Sequence, residues 1–504
     1  MSEILKLVPQ RDAELAMHPE QFRELGHALV DEIAAFLASI PERRVTPGES
    51  ADTVRLALGS TAGLPEQGVD AETVLRDATR LLFAHSLHIG HPRFFGYITS
   101  SPAPIGVLGD MLAAAVNSNC GSWTLSPMAT EIEAQTVRWL AELIGYSAGA
   151  GGLLVSGGNM ANMAAFWAAR TRADNSARER GVNAAGAQPL RVYASAETHT
   201  WIQKASDLGG LGTEAVRWIP TDDQLRMDVA ALRDALDADI AAGARPMMVV
   251  GTAGSVSTGA VDPLPAIADM CGEHGVWFHV DGAYGGFAAA VPGTPDDLRG
   301  LALADSVAID PHKWLYAPLE AGCVLVRDPQ TLRAAFSYHP PYYHFGAEVT
   351  NFVDFGPQNS RGFRALKVWL ALRQIGRSGY VRSISADIAL AERLYRQVES
   401  TPDLQPLTLG LSIATFRYVP RRLRNRIGAA DAEAYLNELN KELLDRIQTS
   451  GRAFVSNAVI RGTYALRACI VNFNTRAEDV DALPAIVVEI ARDVEREMGP
   501  GPTL

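Results

Sequence analysis

The alternation of apolar and polar positions divides the chain into three stretches. In residues 18 to 40 (HPEQFRELGHALVDEIAAFLASI), Phe22, Leu25, Leu29, Ile33 and Phe36 recur at helical spacing before a Pro/Gly/Ser break near Pro47 to Ser50, which predicts an N-terminal helical arm. Residues 130 to 146 open on Thr130-x-x-Glu133, the form of a capping box, carry Ile132, Trp139, Leu140 and Leu143 on one face and stop at Gly145, so a helix is expected there. From about 150 to 330, short apolar runs alternate with helical stretches: LLV at 153, VYA at 192, VRWI at 216, MMVV at 247, VWFHV at 276, SVAI at 306 and CVLV at 323. Between them, Val229, Leu232, Leu236 and Ile240 are spaced for one helical face over 228 to 240. Such alternation predicts an α/β fold with a mostly parallel sheet covered by helices on both faces. Ligands of these sheets sit beyond the carboxyl ends of the strands, so the turns after the apolar runs are where chemistry is sought.

Beyond about residue 380 the chain is more polar, with an arginine-rich piece, VPRRLRNRIG (419 to 428), and an apolar run, RACIVNF (467 to 473), that reads as a strand. The expected organisation is a helical arm over 1–85, a large α/β domain over 86–380 and a small α+β domain over 381–504. No internal repeat or low-complexity tract interrupts it.

Composition narrows the function classes. The 504 residues are more than a single core accommodates, and 47% hydrophobic with 20% charged residues is ordinary for globular chains. A net charge of −12 opposes nucleic-acid binding, which needs clustered cations, but leaves room for a small anion at a local site. Cys120, Cys271, Cys323 and Cys469 are far apart without C-x-x-C spacing, which speaks against a disulfide framework or a zinc cluster and for a reducing compartment. No apolar run reaches the ~18 to 20 residues that span a bilayer. The N-terminus is charged where a secretory leader is apolar, so a cytoplasmic protein without a membrane partner is expected.

Four strand-to-loop junctions hold candidate chemistry. Lys313, in DPHKW after SVAI, sits where a turn follows a strand; alone it reads as a surface charge, but an amine there is also placed to attack a carbonyl. Asp281 ends VWFHVD, 32 residues earlier, before GAYGG, whose small residues let a flat group approach the backbone; a structural acceptor or N-cap is the plain alternative. SGGNMANM (156 to 163) follows LLV and opens an apolar helical stretch with Met163, Phe166 and Trp167, which makes it either an anion cradle of backbone amides or an ordinary turn. It lacks the Walker lysine and the full G-x-G-x-x-G. His199, in AETHTW after VYA, offers an aromatic face and a near-neutral proton site, or merely packs. Taken together, an anion turn, a histidine, an aspartate and a lysine in one α/β domain fit an enzyme using pyridoxal 5′-phosphate (PLP), where the lysine forms an imine with the cofactor and the carboxylate keeps the ring nitrogen protonated.

With HPRFFGY (91 to 97), SWTLSP (122 to 127), HVDGAY (279 to 284), DPHKW and RGFRALKVW (361 to 369), the chain resembles the group II PLP-dependent amino-acid decarboxylases, which include the aromatic L-amino-acid, histidine and glutamate enzymes. The likeness extends almost end to end, from FRELGHALVD in the arm, and HPRFFGY and DPHKW are its specific parts. It implies the PLP fold type I and a homodimer with active sites at the subunit interface. It also implies Lys313 as the Schiff-base lysine, Asp281 as the partner of the ring nitrogen, His199 stacked on the ring and Ala283 on the opposite face. Gly158, Asn159 and Met160 would bind phosphate, with Asp310 and His312 nearby. Tyr97, Ser100, Asn119, Gly121 and Trp123 would line the substrate pocket, some of them supplied by the partner. Tyr342, in HPPYYHF (339 to 345), would return a proton to the substrate carbon after CO2 leaves, a role for which Tyr343 is the other candidate.

By the same resemblance the reaction is decarboxylation of an L-amino acid, with aromatic substrates leading. An aromatic aldehyde synthase, an aminotransferase, and a decarboxylase of glutamate, aspartate or 2,4-diaminobutyrate are the alternatives. Tyr342 and His199 favour plain decarboxylation over aldehyde formation. Two departures bear on this. Asn119 and Gly121 stand where animal aromatic decarboxylases carry bulky apolar residues, and Val256 replaces a threonine near the cofactor, leaving Ser255 or Ser257 to supply its contact.

Overall fold

The computed structural model describes residues 15–339 and 349–499. Each of the seven apolar runs between 150 and 330 becomes a strand of one sheet: β1 Gly151–Val155, β2 Leu190–Ser195, β3 Val216–Ile219, β4 Arg245–Thr252, β5 Trp277–Asp281, β6 Ser306–Ile309 and β7 Gly322–Val326. Their order is β1-β7-β6-β5-β4-β2-β3. The pairs from β3 through β6 are parallel, while β7 runs antiparallel to both β6 and β1. Because β7 reverses twice, β1 points the same way as β6, and the carboxyl ends of β1 to β6 lie along one edge beside the start of β7.

Both faces of this sheet are covered, which is why β5, β6 and β7 are buried at every position. The pleat sorts their side chains between two cores. In β5, Phe278 and Val280 face a core with Leu264 and Phe287, and Trp277 faces another with Phe166 and Trp201.

A second, antiparallel sheet consists of β8 Leu404–Gly410, β9 Ile413–Tyr418, β10 Ser456–Ile460 and β11 Thr463–Cys469, in the order β10-β11-β9-β8. The strand expected over 467–473 begins at Thr463 and ends at Cys469 because its pairing with β9 ends there. Helices Ala430–Ser450 and Ala477–Met498 cover this sheet. A long helix, Ala365–Ser400, breaks its regular geometry at Gly376 and joins the two cores: Tyr380 and Ile384 pack with the large sheet, Leu394 and Val398 with the small one. The arm is helical over Pro19–Ser39, as expected, and has no buried residue there; Phe36 stacks on Phe83 at 4.0 Å.

The helix expected over 130–146 is Pro127–Leu143, and the capping box at Thr130 and Glu133 does not form. Pro127 starts the helix after Ser126, which places Thr130 and Glu133 inside it, both buried. Glu133 instead meets Arg361, and the pair closes the free side of edge strand β1. Glu133 Oε1 accepts from Leu154 N at 2.9 Å, and Arg361 Nη2 donates to Leu154 O at 2.7 Å. A sheet edge is thereby covered by side chains instead of another strand. Among the described residues, no helix is long and apolar enough to cross a membrane.

Removing one partner of a buried ion pair leaves the other uncompensated. Arg361→Met is therefore expected to destabilise the protein by about 3–5 kcal/mol, and Glu133→Gln added to it should restore part of the loss. Chemical denaturation of the wild type and the two variants measures this; a loss under about 1 kcal/mol for Arg361→Met would mean the pair adds no more than a surface contact.

Candidate active site

The shared strand edge gathers the residues singled out above. Asp281 closes β5, and both its oxygens are held by neutral donors. Trp201 Nε1 donates to Oδ2 at 2.8 Å and Ala283 N to Oδ1 at 3.1 Å. A carboxylate so held still has lone pairs for a third donor. Lys313 lies beyond β6 on a single helical turn, Pro311–Trp314, rather than in an open loop. Its Nζ is 3.1 Å from Asp310 Oδ2, and Ser100 Oγ donates to His312 O at 2.8 Å, bracing the turn from below.

Helix Gly158–Ala173 begins beyond β1 and crosses the sheet toward the same point. Its first intrahelical bond runs from Ala161 N to Gly157 O, so the N–H groups of Gly158, Asn159 and Met160 precede the hydrogen-bonded ladder. Gly157 has φ of 121°, open to glycine alone. A Cβ on Gly158 would come within 2.7 Å of Asp310 Oδ2 and 2.9 Å of the Ala283 methyl. Gly158, Ala283 and Asp310 thus converge, and His312 approaches the Gly157 turn while its Nδ1 meets Ala321 O at 2.7 Å. Helix and sheet are locked together by His279, which bonds Asn162 at 2.7 Å and Ser306 at 2.8 Å. Burial pushes the His279 imidazole down to about 4, so the link is neutral.

His199 follows β2, and Trp201 N donates to its Nδ1 at 3.2 Å. Its side chain is open to solvent in the single chain, yet the surrounding protein holds the imidazole below its ordinary range by desolvation. Asp281 pulls the other way and Lys313 adds to the lowering. Asp281, Lys313 and Asp310 all act on this one ring, which places the four groups within electrostatic reach of each other.

Two polar atoms here are buried without a hydrogen-bond partner: Asp310 Oδ1 and Thr252 Oγ1. Thr252 ends β4 and pairs in register with Asp281. Ser255, by contrast, has its hydroxyl engaged by Thr258 at 2.9 Å, and Val256 is exposed. Orphaned polar atoms, a helix start with free amides and a glycine whose side chain would fill the gap are the features of a cradle for a polar, anionic group.

The residues expected around the substrate are distributed differently. Ser100 reaches the Lys313 turn through His312 O. Tyr97 is exposed in a left-handed conformation, its carbonyl held by Arg467. Asn119, Gly121 and Trp123 bond to the stretch that follows residue 348: Asn119 Oδ1 accepts from Arg361 N, Gly121 O from Val353 N, and Asn351 Oδ1 from Trp123 N. His339 meets Asp354 at 2.8 Å. Tyr342 and Tyr343 lie outside the described residues. Trp201, Asn162, His279 and Thr252 were not signalled by the linear sequence; the period-two placement of His279 and Asp281 on one face of β5 is the sole trace of their connection.

An amine, a carboxylate and an anion cradle at the carboxyl edge of a largely parallel sheet define a class, the α/β enzymes that hold a phosphorylated cofactor on a lysine. The pyridoxal-dependent decarboxylase conserved domain matches residues 56–418. The chain is 33% identical over 486 residues to an aromatic-L-amino-acid decarboxylase of Bacillus atrophaeus, covering 95% of this chain and 97% of that one. It is 30% identical to a phenylacetaldehyde synthase of Petunia hybrida, covering 93% and 94%. The crystal structure of Oryza sativa TDC with PLP and tryptamine superposes with a TM-score of 0.87 at 28% identity, over 96% of this chain and 99% of that one. The chain therefore belongs to the pyridoxal-dependent decarboxylases, and it is a PLP-dependent carboxy-lyase.

Gly158→Ala puts a methyl into the gap beside Asp310. It is expected to weaken PLP binding by about tenfold or more while leaving the circular dichroism of the apo-protein unchanged. Titration of apo-protein with PLP measures this, and wild-type affinity would remove the helix start from the cofactor site.

Proposed function

We propose that this chain decarboxylates an aromatic L-amino acid to its amine and CO2, with Lys313 holding PLP and Asp281, His199 and the Gly158–Met160 turn completing the site. The convergence of Lys313, Asp310, Ala283 and Gly158 carries this reading, because it sets an amine and its partner carboxylate beside the start of a helix whose free amides suit an anion. The names of the relatives supply the substrate class, with tyrosine decarboxylases of Oryza sativa and Petroselinum crispum beside the Bacillus enzyme.

When bound, PLP supplies the electron sink for the pair left on the substrate carbon as CO2 departs. Asp281, oriented by Trp201 and Ala283, would accept a hydrogen bond from the protonated ring nitrogen and so keep the proton on that nitrogen. His199, whose imidazole is held below its ordinary range by desolvation, would offer a flat face for stacking on the ring. Gly158, Asn159 and Met160 bind phosphate through backbone amides, with His312 alongside. Lys313 would hold the cofactor through its amine, and the freed amine would stay beside the substrate once the substrate's own amine had replaced it. Tyr342 delivers the proton that makes the product an amine.

The same reading includes a homodimer in a reducing, cytoplasmic setting and the three-part division into arm, large domain and small domain. Support for a second copy comes from an apolar surface that this chain alone leaves open. On helix Pro104–Val116, Leu108, Met111, Leu112 and Val116 are exposed, and Phe22, Leu56 and Leu82 are exposed on the arm. Aldehyde formation is the second reading, favoured by the phenylacetaldehyde synthases among the relatives.

Purified, PLP-loaded protein is expected to release CO2 and the matching amine from Tyr, Phe, Trp or their hydroxylated forms; release from acidic or basic amino acids alone would overturn the substrate class. Lys313→Ala should abolish turnover in a folded protein, and near-normal activity there would overturn the assignment. Tyr342→Phe is expected to lower amine and raise aldehyde output, read by mass spectrometry, and an unchanged product ratio would move the proton donor elsewhere.

A further inference from the structure

Asp387 is a buried acid, 2% exposed, on the part of the long helix that lies behind the large sheet. Its Oδ2 accepts from Trp314 Nε1 at 2.9 Å and from Tyr316 OH at 2.8 Å, and the Asn472 amide also reaches the carboxylate. Two helical turns earlier, Tyr380 OH donates to Leu315 O at 3.1 Å. A single helix thus grips three successive residues, 314 to 316, directly after Lys313. The grip constrains an unfavourable backbone. Tyr316 has φ of 54°, a conformation that costs a bulky residue about 1–2 kcal/mol and persists where surrounding contacts impose it. The network also reaches the other catalytic strand end, for Trp314 stacks on Tyr284 at 4.8 Å, and Tyr284 OH meets Ser412 at 2.7 Å at the start of β9.

Asp387 is an expensive group to place here. Its hydrogen-bond partners are all neutral, and burial pushes its carboxyl up to about 7. The titratable groups near it are Tyr316 and Tyr380, both raised by burial, and Cys469, raised by burial and by Asp387 and lowered by Arg467 and Lys313. Folding raises this acid, so its contribution to stability is full below the unfolded value near 3.8 and is lost as pH rises through about 7. A carboxylate that weakens the fold at neutral pH, yet is spent almost wholly on residues 314 and 316, points to a role in the turn it holds.

We propose that Asp387 is a positioning residue: by fixing Trp314 and Tyr316 it sets the aim of the Lys313 amine, and so ties the small domain's connecting helix to the reaction. This rests on Lys313 being the residue that carries PLP.

The test is the rate at which apo-protein acquires the absorbance of lysine-bound PLP, with kcat and KM measured on the loaded enzyme. Asp387→Ala is expected to slow attachment about tenfold or more and lower kcat with KM little changed. Asp387→Asn, whose amide oxygen still accepts from Trp314 and Tyr316, should recover most of the rate. The ratio of wild-type to Asp387→Asn rates should change as pH crosses about 7, which a merely structural role would not produce. Should Asp387→Ala fail to fold, Tyr316→Phe and Trp314→Phe each remove one bond from the same carboxylate and should slow attachment. Wild-type attachment rates in both would overturn the proposal, as would a wild-type rate in folded Asp387→Ala. Lys313→Ala separates the two levels: if it still acquires the lysine-bound absorbance, the assignment of Lys313 itself has failed; if it does not while the Asp387 variants load normally, the positioning role alone falls.

Discussion

The ammonium of Lys313 and the carboxylate of Asp310, 3.1 Å apart beneath the start of helix Gly158–Ala173, set the terms for the rest of the site. Two charges and a helix terminus can meet there because the chain reverses twice through β7, which brings β1 to point along β6 and puts Gly322 against Gly157. Helix Gly158–Ala173 then crosses β7, β6, β5 and β4, and its amides arrive beside the turns that follow β5 and β6. Had β1 joined β6 directly as a hairpin, its turn would have emerged at the opposite edge.

The polar groups beneath this edge are matched in a manner that keeps charge where chemistry needs it. His279 and Asn162 bind helix to sheet without a net charge. Glu133 and Arg361 cancel each other while covering the edge strand. Asp281 is oriented by neutral donors, so its negative charge is not spent on a cation of the protein. Asp310 Oδ1 and Thr252 Oγ1, by contrast, are buried beside Lys313 and Asp281 respectively without a hydrogen-bond partner.

Much of this was legible in the linear sequence because the large domain speaks in long, regular signals. Each of the seven apolar runs is a strand, and Lys313, Asp281, His199 and Gly158 stand at strand ends as their positions implied. What escaped was information held by tertiary contact. The direction of β7 is set by its neighbours and not by CVLV itself. Thr130 and Glu133 matched a capping box, but Glu133 is bonded to a residue more than two hundred positions away. Trp201 reads as a helical core residue, and nothing near it in the chain indicates that its indole reaches Asp281. Asp387, on a helix rich in arginine, reads as one more solvated charge, though it is buried against the lysine turn.

The central claim is that one lysine, at the end of β6, carries the cofactor. Reduction of the PLP-loaded protein with borohydride, followed by peptide mass spectrometry, tests it directly, since the reduced linkage survives digestion. The account predicts the pyridoxyl phosphate mass on the peptide containing Lys313. The same mass on Lys204, Lys367 or Lys441 instead, or on no peptide of a protein that has taken up PLP, would contradict it.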